Sequence, residues 1–262
     1  MSRKYWIQIR FYLAEAAVMM MFGLMMMKLF YKNMTPELDT YSFPDFLVHM
    51  MSPYEYGLIV VPVLLFAVIH CLKDDFLNSR VLFYSSKREL WIDQEKKIFY
   101  LSVFFIILLL ALTAGFGYAE HQIWFNWDQT QSYYYLKTHQ LFYGNSLQVW
   151  IAAFFIGFVR NFIFCNLILL SKWAWNRTMP GVILGILICV CEIIFDSSIT
   201  EMLIGLKKIK ILMSLFSLDY PMFQDRGERF VMVIALGVIL VLIALVMKQV
   251  LKKKEFIHDK VF

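Results

Sequence analysis

Apolar residues in this chain run in long blocks and do not alternate with polar ones as they do in a half-buried strand or an amphipathic helix. A hydrocarbon core about 30 Å thick needs about 20 residues of helix rising 1.5 Å each, and six blocks of 17 to 22 residues meet that need. They are Phe11 to Phe30, Tyr56 to Leu72, Ile98 to Tyr118, Val149 to Leu170, Gly181 to Ile199 and Phe230 to Met247. The third and sixth carry no charge, whereas the fifth is short and polar at its far end. The pattern predicts an all-α, polytopic membrane protein with six transmembrane helices forming one domain over residues 1–262. Between the fifth and sixth blocks, Ile199 to Phe216 is apolar but studded with three lysines, which makes a poor span. A re-entrant or interfacial hairpin over about 199–229, closed by the turn-forming Asp219-Tyr-Pro221, fits better.

Composition sharpens that expectation, because 60% of the residues are apolar and 18% aromatic, leaving almost no chain for a soluble domain. Orientation follows from Lys and Arg in the connections. With the N-terminus inside, the cytoplasmic segments 1–10, 73–97, 171–180 and 248–262 hold sixteen of these residues, against eight in the external segments. Both termini are therefore expected in the cytoplasm of a bacterial cell whose plasma membrane the chain crosses several times. The lysines at 207, 208 and 210 fall on the wrong side unless they sit at headgroup level. The net charge of +5 reads as topology and contact with anionic headgroups of the lipid bilayer, not nucleic-acid binding. Arg3, Lys4 and Arg10 precede the first block, but no small-x-small site follows it, so that helix is expected to be retained. Cys71, Cys165, Cys189 and Cys191 lie in or at the ends of spans, and no structural disulfide is expected.

Candidate chemistry is sparse. Six methionines lie between Val18 and Met27, but consecutive positions point around the whole helix. The five histidines form no i, i+4 pair, so no metal site is predicted. His-Glu-x-x-His, Gly-x-Ser-x-Gly and phosphate-loop motifs are all missing, so no catalytic residue is predicted and the chain is not expected to be an enzyme. Any use of ATP needs a second chain. Charges inside spans are better signals, since each costs about 2.5 to 3.5 kcal/mol at the centre of the membrane. Arg160 and Glu192 lie at equal depth on consecutive antiparallel helices and are expected to pair, either as a structural ion pair or as part of a translocation path. Asp196 lies one turn beyond Glu192 on the same face. The external segment Glu120 to Gln148, rich in Trp and Tyr, reads either as an aromatic belt at the outer interface or as a lid contacting substrate.

The longest cytoplasmic connection, 73–97, mixes acids with its bases. Ser86-Lys-Arg-Glu89 is a capping box, with the serine accepting from the Glu89 amide and the Glu89 carboxylate reaching back to the Ser86 amide. It predicts a helix starting at Lys87, carrying Trp91 at headgroup depth and running into the third span. Six spans with both ends inside, a basic aromatic start (Arg3-Lys-Tyr-Trp-Ile-Gln-Ile-Arg10) and Arg80 followed by Ser85-Ser-Lys-Arg-Glu-Leu-Trp91 resemble a type-2 ABC transporter permease, a small six-helix subunit of a bacterial exporter. The resemblance implies a coupling loop over roughly 74–92 that docks into a dimer of separate ABC ATPase subunits. Its coupling residues would be Asp74, Asp75, Arg80, Lys87, Arg88, Glu89 and Trp91, with Arg80, Lys87 and Arg88 as docking charges. A second permease chain, identical or not, would complete the path, and no cofactor would be bound here because ATP and magnesium belong to the ATPase partner. Permeases this small often handle peptides, which makes a peptide the expected cargo class. Arg160 and Glu192 match no motif of that family. The rival reading is a non-transporting immunity or sensor protein that binds a ligand at its aromatic outer loop.

Overall fold

A computed structural model describes residues 14, 17–21, 23, 25, 42–73, 75, 84–119, 123–196, 218, 220, 223 and 226–253. Most of the first block, the basic N-terminal segment, the greater part of the expected re-entrant hairpin, Asp74 and Arg80 lie outside the described residues. Among the described residues the chain is helical, and its one strand-like feature is an isolated parallel bridge between Ser42 and Ile123. The helices are α1 (Phe43–Met50), α2 (Pro53–Leu72), α3 (Lys87–Ala119), α4 (Tyr133–Thr138), α5 (Ser146–Trp175), α6 (Met179–Asp196) and α7 (Arg226–Lys253).

Four of these, α2, α3, α5 and α7, are long and apolar enough to cross a membrane, whereas the pattern predicts six spans. Helix α6 corresponds to the fifth block and is described as far as Asp196, and the stretch Met179–Ile194 within it is apolar. The long helices also overrun their blocks: α3 has 33 residues and α5 has 30. Hydropathy marks only the stretch that avoids water, while the backbone ladder continues into polar sequence wherever a cap permits it.

Helix α5 is the hub, packed against α2, α3, α6 and α7. Its apolar residues point to all sides, as expected of a helix surrounded by others. Gly157 lets neighbouring side chains press against α5, since a Cβ there would lie 3.1 Å from both Ile106 Cγ1 and Met51 Cε. Helix α2 opens with a π-turn over Tyr56–Val60, in which the Val61 amide donates to the Tyr56 carbonyl. Pro62, lacking an N–H, follows directly, and the wider turn absorbs the break in the ladder. Helices α5 and α6 form a tight hairpin. Asn176 closes α5 in the left-handed region at φ 57°, and its amide donates to Lys172 O at 3.0 Å. At the start of α6, a Cβ on Gly181 would lie 2.6 Å from the Leu167 carbonyl oxygen, so only glycine lets the two backbones meet there.

Candidate functional site

That hairpin fixes the depth of the two buried charges. Arg160 is 15 residues before Trp175 and Glu192 is 13 after Met179, so both stand about 20 to 22 Å from the turn at 1.5 Å per residue. The guanidinium Nη2 donates to Glu192 Oε2, and both side chains are sealed from solvent, at 0% and 2% exposure. Nη1 also reaches the Met51 carbonyl at 3.5 Å, and the guanidinium carbon sits 4.1 Å from the centre of the Tyr56 ring. Arg160 Nε has no hydrogen-bond partner among the described residues. The Tyr56 hydroxyl donates to Asn161 Oδ1, and Asn161 Nδ2 donates to the Ser102 carbonyl at 3.4 Å. A continuous polar cluster thus joins α2, α3, α5 and α6 in mid-bundle. Asp196 is the last described residue of α6, one turn past Glu192, but its side chain lies outside the described residues.

At one end of the bundle, the chain enters α3 through an elbow. The Ser86 hydroxyl accepts from the Glu89 amide at 3.2 Å, as a capping box requires. The reciprocal bond lands one residue earlier than expected: Glu89 accepts from the Ser85 amide at 2.9 Å and from its hydroxyl at 2.7 Å. Asp75, one of the expected coupling residues, is buried, and its two carboxylate oxygens accept from Lys97 Nζ at 2.7 and 2.8 Å. Lys97 also lies 3.1 Å from Asp93, which accepts from the Tyr84 hydroxyl at 2.8 Å. Burial, with Asp93 adding to it, holds the Tyr84 phenol well above its ordinary range, so it remains a donor. These contacts clamp the end of α2 to the second and third turns of α3. Gln94 extends the clamp by accepting from Trp173 Nε1 on α5 at 2.9 Å. Trp91, half-buried, donates to Glu95 at 2.9 Å. Lys87 and Arg88 line a groove whose other wall is α7.

The opposite end carries a folded aromatic cap. Trp127 is fully buried, stacked on Tyr134 with ring centres 4.4 Å apart, and packed edge-on to Phe142 and Phe223. Its indole N–H donates to Asp45 on α1 at 2.7 Å. Asp45 also accepts from the Ser42 amide at 2.8 Å and the Ser42 hydroxyl at 2.6 Å. Burial pushes the Asp45 carboxyl upward, against the opposing pull of those donors. His49 is held below its ordinary value, chiefly by burial, which outweighs the attraction of the nearby Glu55 carboxylate at 3.6 Å. The loop is therefore partly core and partly surface, since Trp124 and Tyr143 remain exposed while Trp127, Tyr134 and Phe142 do not.

Asp45, Tyr56, Asn161, Asp93 and Lys97 were not among the expected site residues. Two of the cap anchors carry a readable signal: Ser42-Phe-Pro-Asp45 and Ser52-Pro-Tyr-Glu55 both have capping-box spacing ahead of apolar residues. Asp75 with Lys97, and Gln94 with Trp173, carry none, because nothing local ties residues so far apart. Cys71, Cys165, Cys189 and Cys191 are free thiols, and the described residues contain no cluster of three potential metal-ligating side chains of the His, Cys, Asp and Glu kind. Comparison with known proteins finds no family model, no curated protein and no solved structure that matches this chain.

Proposed function

We propose that this chain is the membrane permease of an ATP-driven exporter, lining the translocation path and driven by a separate ATPase that docks on the loop between α2 and α3. The observation that carries the reading is the clamp at the elbow, where Asp75 on one side and Asp93 on the other grip Lys97. A loop that serves only to reconnect two spans has no need of the buried Asp75–Lys97 pair. A loop that must convert a push from outside into tilt of a long helix does need such a tie. The push would pass through Lys97 into α3 and through Gln94 to Trp173 on α5, the helix that carries Arg160. The polar cluster around Arg160 and Glu192 then serves as the hydrophilic centre about which two permease chains open and close a path, with a peptide as the cargo class. In this reading the elbow end faces the cytoplasm of a bacterial cell, and the aromatic cap faces outward.

Gentle extraction from native membranes tests the reading. A soluble subunit with a phosphate loop should co-purify, and Arg80→Glu should release it. Asp75→Asn should leave that subunit bound while lowering substrate-stimulated ATP hydrolysis, because it weakens the clamp without touching the docking charge. Recovery of the chain with no ATP-hydrolysing partner would refute the proposal and favour a ligand-binding immunity or sensor role for the exposed Trp124 and Tyr143 of the cap.

A further inference from the structure

Helix α1 has eight residues, and all but His49 are buried. It packs against both α3 and α5, and its first ring is seated so closely that a Cβ on Gly117 of α3 would lie 2.7 Å from Phe43 Cε1. Its two ends are held by different parts of the molecule. In the first turn, Asp45 accepts from the Trp127 indole N–H of the cap at 2.7 Å. At the other end, the Ser52 amide donates to the His49 carbonyl at 3.0 Å, which fixes the peptide plane carrying the Met51 carbonyl. That carbonyl accepts from Arg160 Nη1 at 3.5 Å. The Tyr56 amide donates in turn to the Ser52 carbonyl at 3.0 Å, so the ring that covers the Arg160 guanidinium is tied to the same junction. Met51 is six residues beyond Asp45, about 9 Å of helix. A rod that short, gripped along its length, passes a displacement on instead of absorbing it, because close-packed interiors compress little. At 3.5 Å the Met51 contact is also at the outer limit of a hydrogen bond, so a retreat of a few tenths of an ångström removes it.

We propose that α1 is a strut that couples the aromatic cap to the Arg160–Glu192 pair, so that drawing Trp127 away from Asp45 loosens the guanidinium from its carboxylate. The Met51 carbonyl and the Tyr56 ring orient Arg160, and a guanidinium released by both spends less of its time against Glu192. Coupling of this kind is reciprocal: opening the pair must loosen Trp127 by the same factor. If packing instead fixed the cap and the pair separately, a change at one would leave the other untouched. Helix α6 carries a native reporter. Cys189 lies three residues before Glu192, is 5% exposed and faces the start of α2, where a Cβ on Gly57 would lie 3.3 Å from its own. Separation of α2 from α6 at the pair uncovers this thiol. Cys71, at the elbow end of α2, and Cys165, 3.8 Å from the Ser102 hydroxyl of α3, are buried away from that seam. The inference does not depend on whether the loop docks an ATPase.

The test uses the full chain in nanodiscs, labelled with N-ethylmaleimide and followed at each cysteine by mass spectrometry of its peptides. Trp127→Phe should speed labelling of Cys189 about five-fold, the factor that one net hydrogen bond contributes to a local opening, and leave Cys71 and Cys165 unchanged. Ser42→Ala, which takes a 2.6 Å donor from the same carboxylate, should act in the same direction and serves if Trp127→Phe fails to fold. Tyr143→Ala, at an exposed position of the cap, should change none of the three rates. In the reverse direction, Glu192→Gln should speed solvent exchange of the Trp127 indole proton, read by nuclear magnetic resonance with nitrogen-15 tryptophan and assigned among the seven indoles by its loss in Trp127→Phe. An unchanged Cys189 rate in Trp127→Phe and Ser42→Ala, or equal acceleration at all three thiols, overturns the proposal. So does an indole exchange rate that Glu192→Gln leaves as it was.

Discussion

Replacing Glu192 by leucine strands a guanidinium that is fully shielded from water. Breaking a buried ion pair from one side costs about 3 to 5 kcal/mol, and two contacts of Arg160 temper that cost. The Tyr56 ring at 4.1 Å and the Met51 carbonyl at 3.5 Å persist in the variant, and a desolvated cation over an aromatic face recovers up to about 2 kcal/mol. The expected loss is therefore near the lower limit, about 3 kcal/mol. Arg160→Leu strands the carboxylate and should cost a similar amount. Replacing both removes two charges from an apolar setting, and comparable swaps elsewhere are close to neutral. Allowing for imperfect packing around α5, the double variant should lose no more than about 2 kcal/mol, leaving a coupling energy of about 4 kcal/mol. Equilibrium unfolding in mixed micelles, followed by tryptophan fluorescence, measures all four corners of the cycle. A double variant that loses the sum of the singles to within about 0.5 kcal/mol would falsify the pairing.

Other predictions concern the cap and the hairpin. Trp127→Phe keeps the ring stack but deprives the buried Asp45 of a 2.7 Å donor, which should cost about 1 to 3 kcal/mol in the same unfolding assay. Burial holds the His49 pKa below its ordinary 6.5, so the neutral form is the one the fold favours. The stabilisation is complete above pH 6.5 and is lost as pH falls through the lowered value. Asp45, shifted upward, acts with the opposite sign, so the informative quantity is the difference from His49→Gln. Wild type should lose stability relative to that variant only below about pH 6.5, and parallel curves from pH 8 to 5 would refute the assignment. Gly181→Ala should force α5 and α6 apart at their turn, seen as a lowered unfolding temperature, whereas Gly237→Ala, where an added Cβ meets nothing within 4 Å, should not.

How much of this was legible depends on how local each signal is. Equal depth along two antiparallel helices was enough to bring Arg160 to Glu192, because a three-residue turn leaves little freedom in register. The helix start at Lys87 was legible from Ser86 and Glu89, although the carboxylate chose Ser85. Burial of Asp75 was not, since its partner is 22 residues away and an acid beside a basic loop reads as surface. The cap was read as an interfacial belt or a lid because aromatic content does not distinguish Trp127, which is buried against a carboxylate, from Trp124, which is exposed. Two of the six expected spans lie partly outside the described residues, most of Phe11 to Phe30 and the end of Gly181 to Ile199 beyond Asp196.

The proposed exporter is a complex of several chains, so the mass of what is released from the native membrane decides for or against it. Native mass spectrometry should find two membrane chains, at least one of 31.1 kDa, together with two copies of a nucleotide-binding subunit. A single 31.1 kDa chain carrying nothing but lipid would contradict the account.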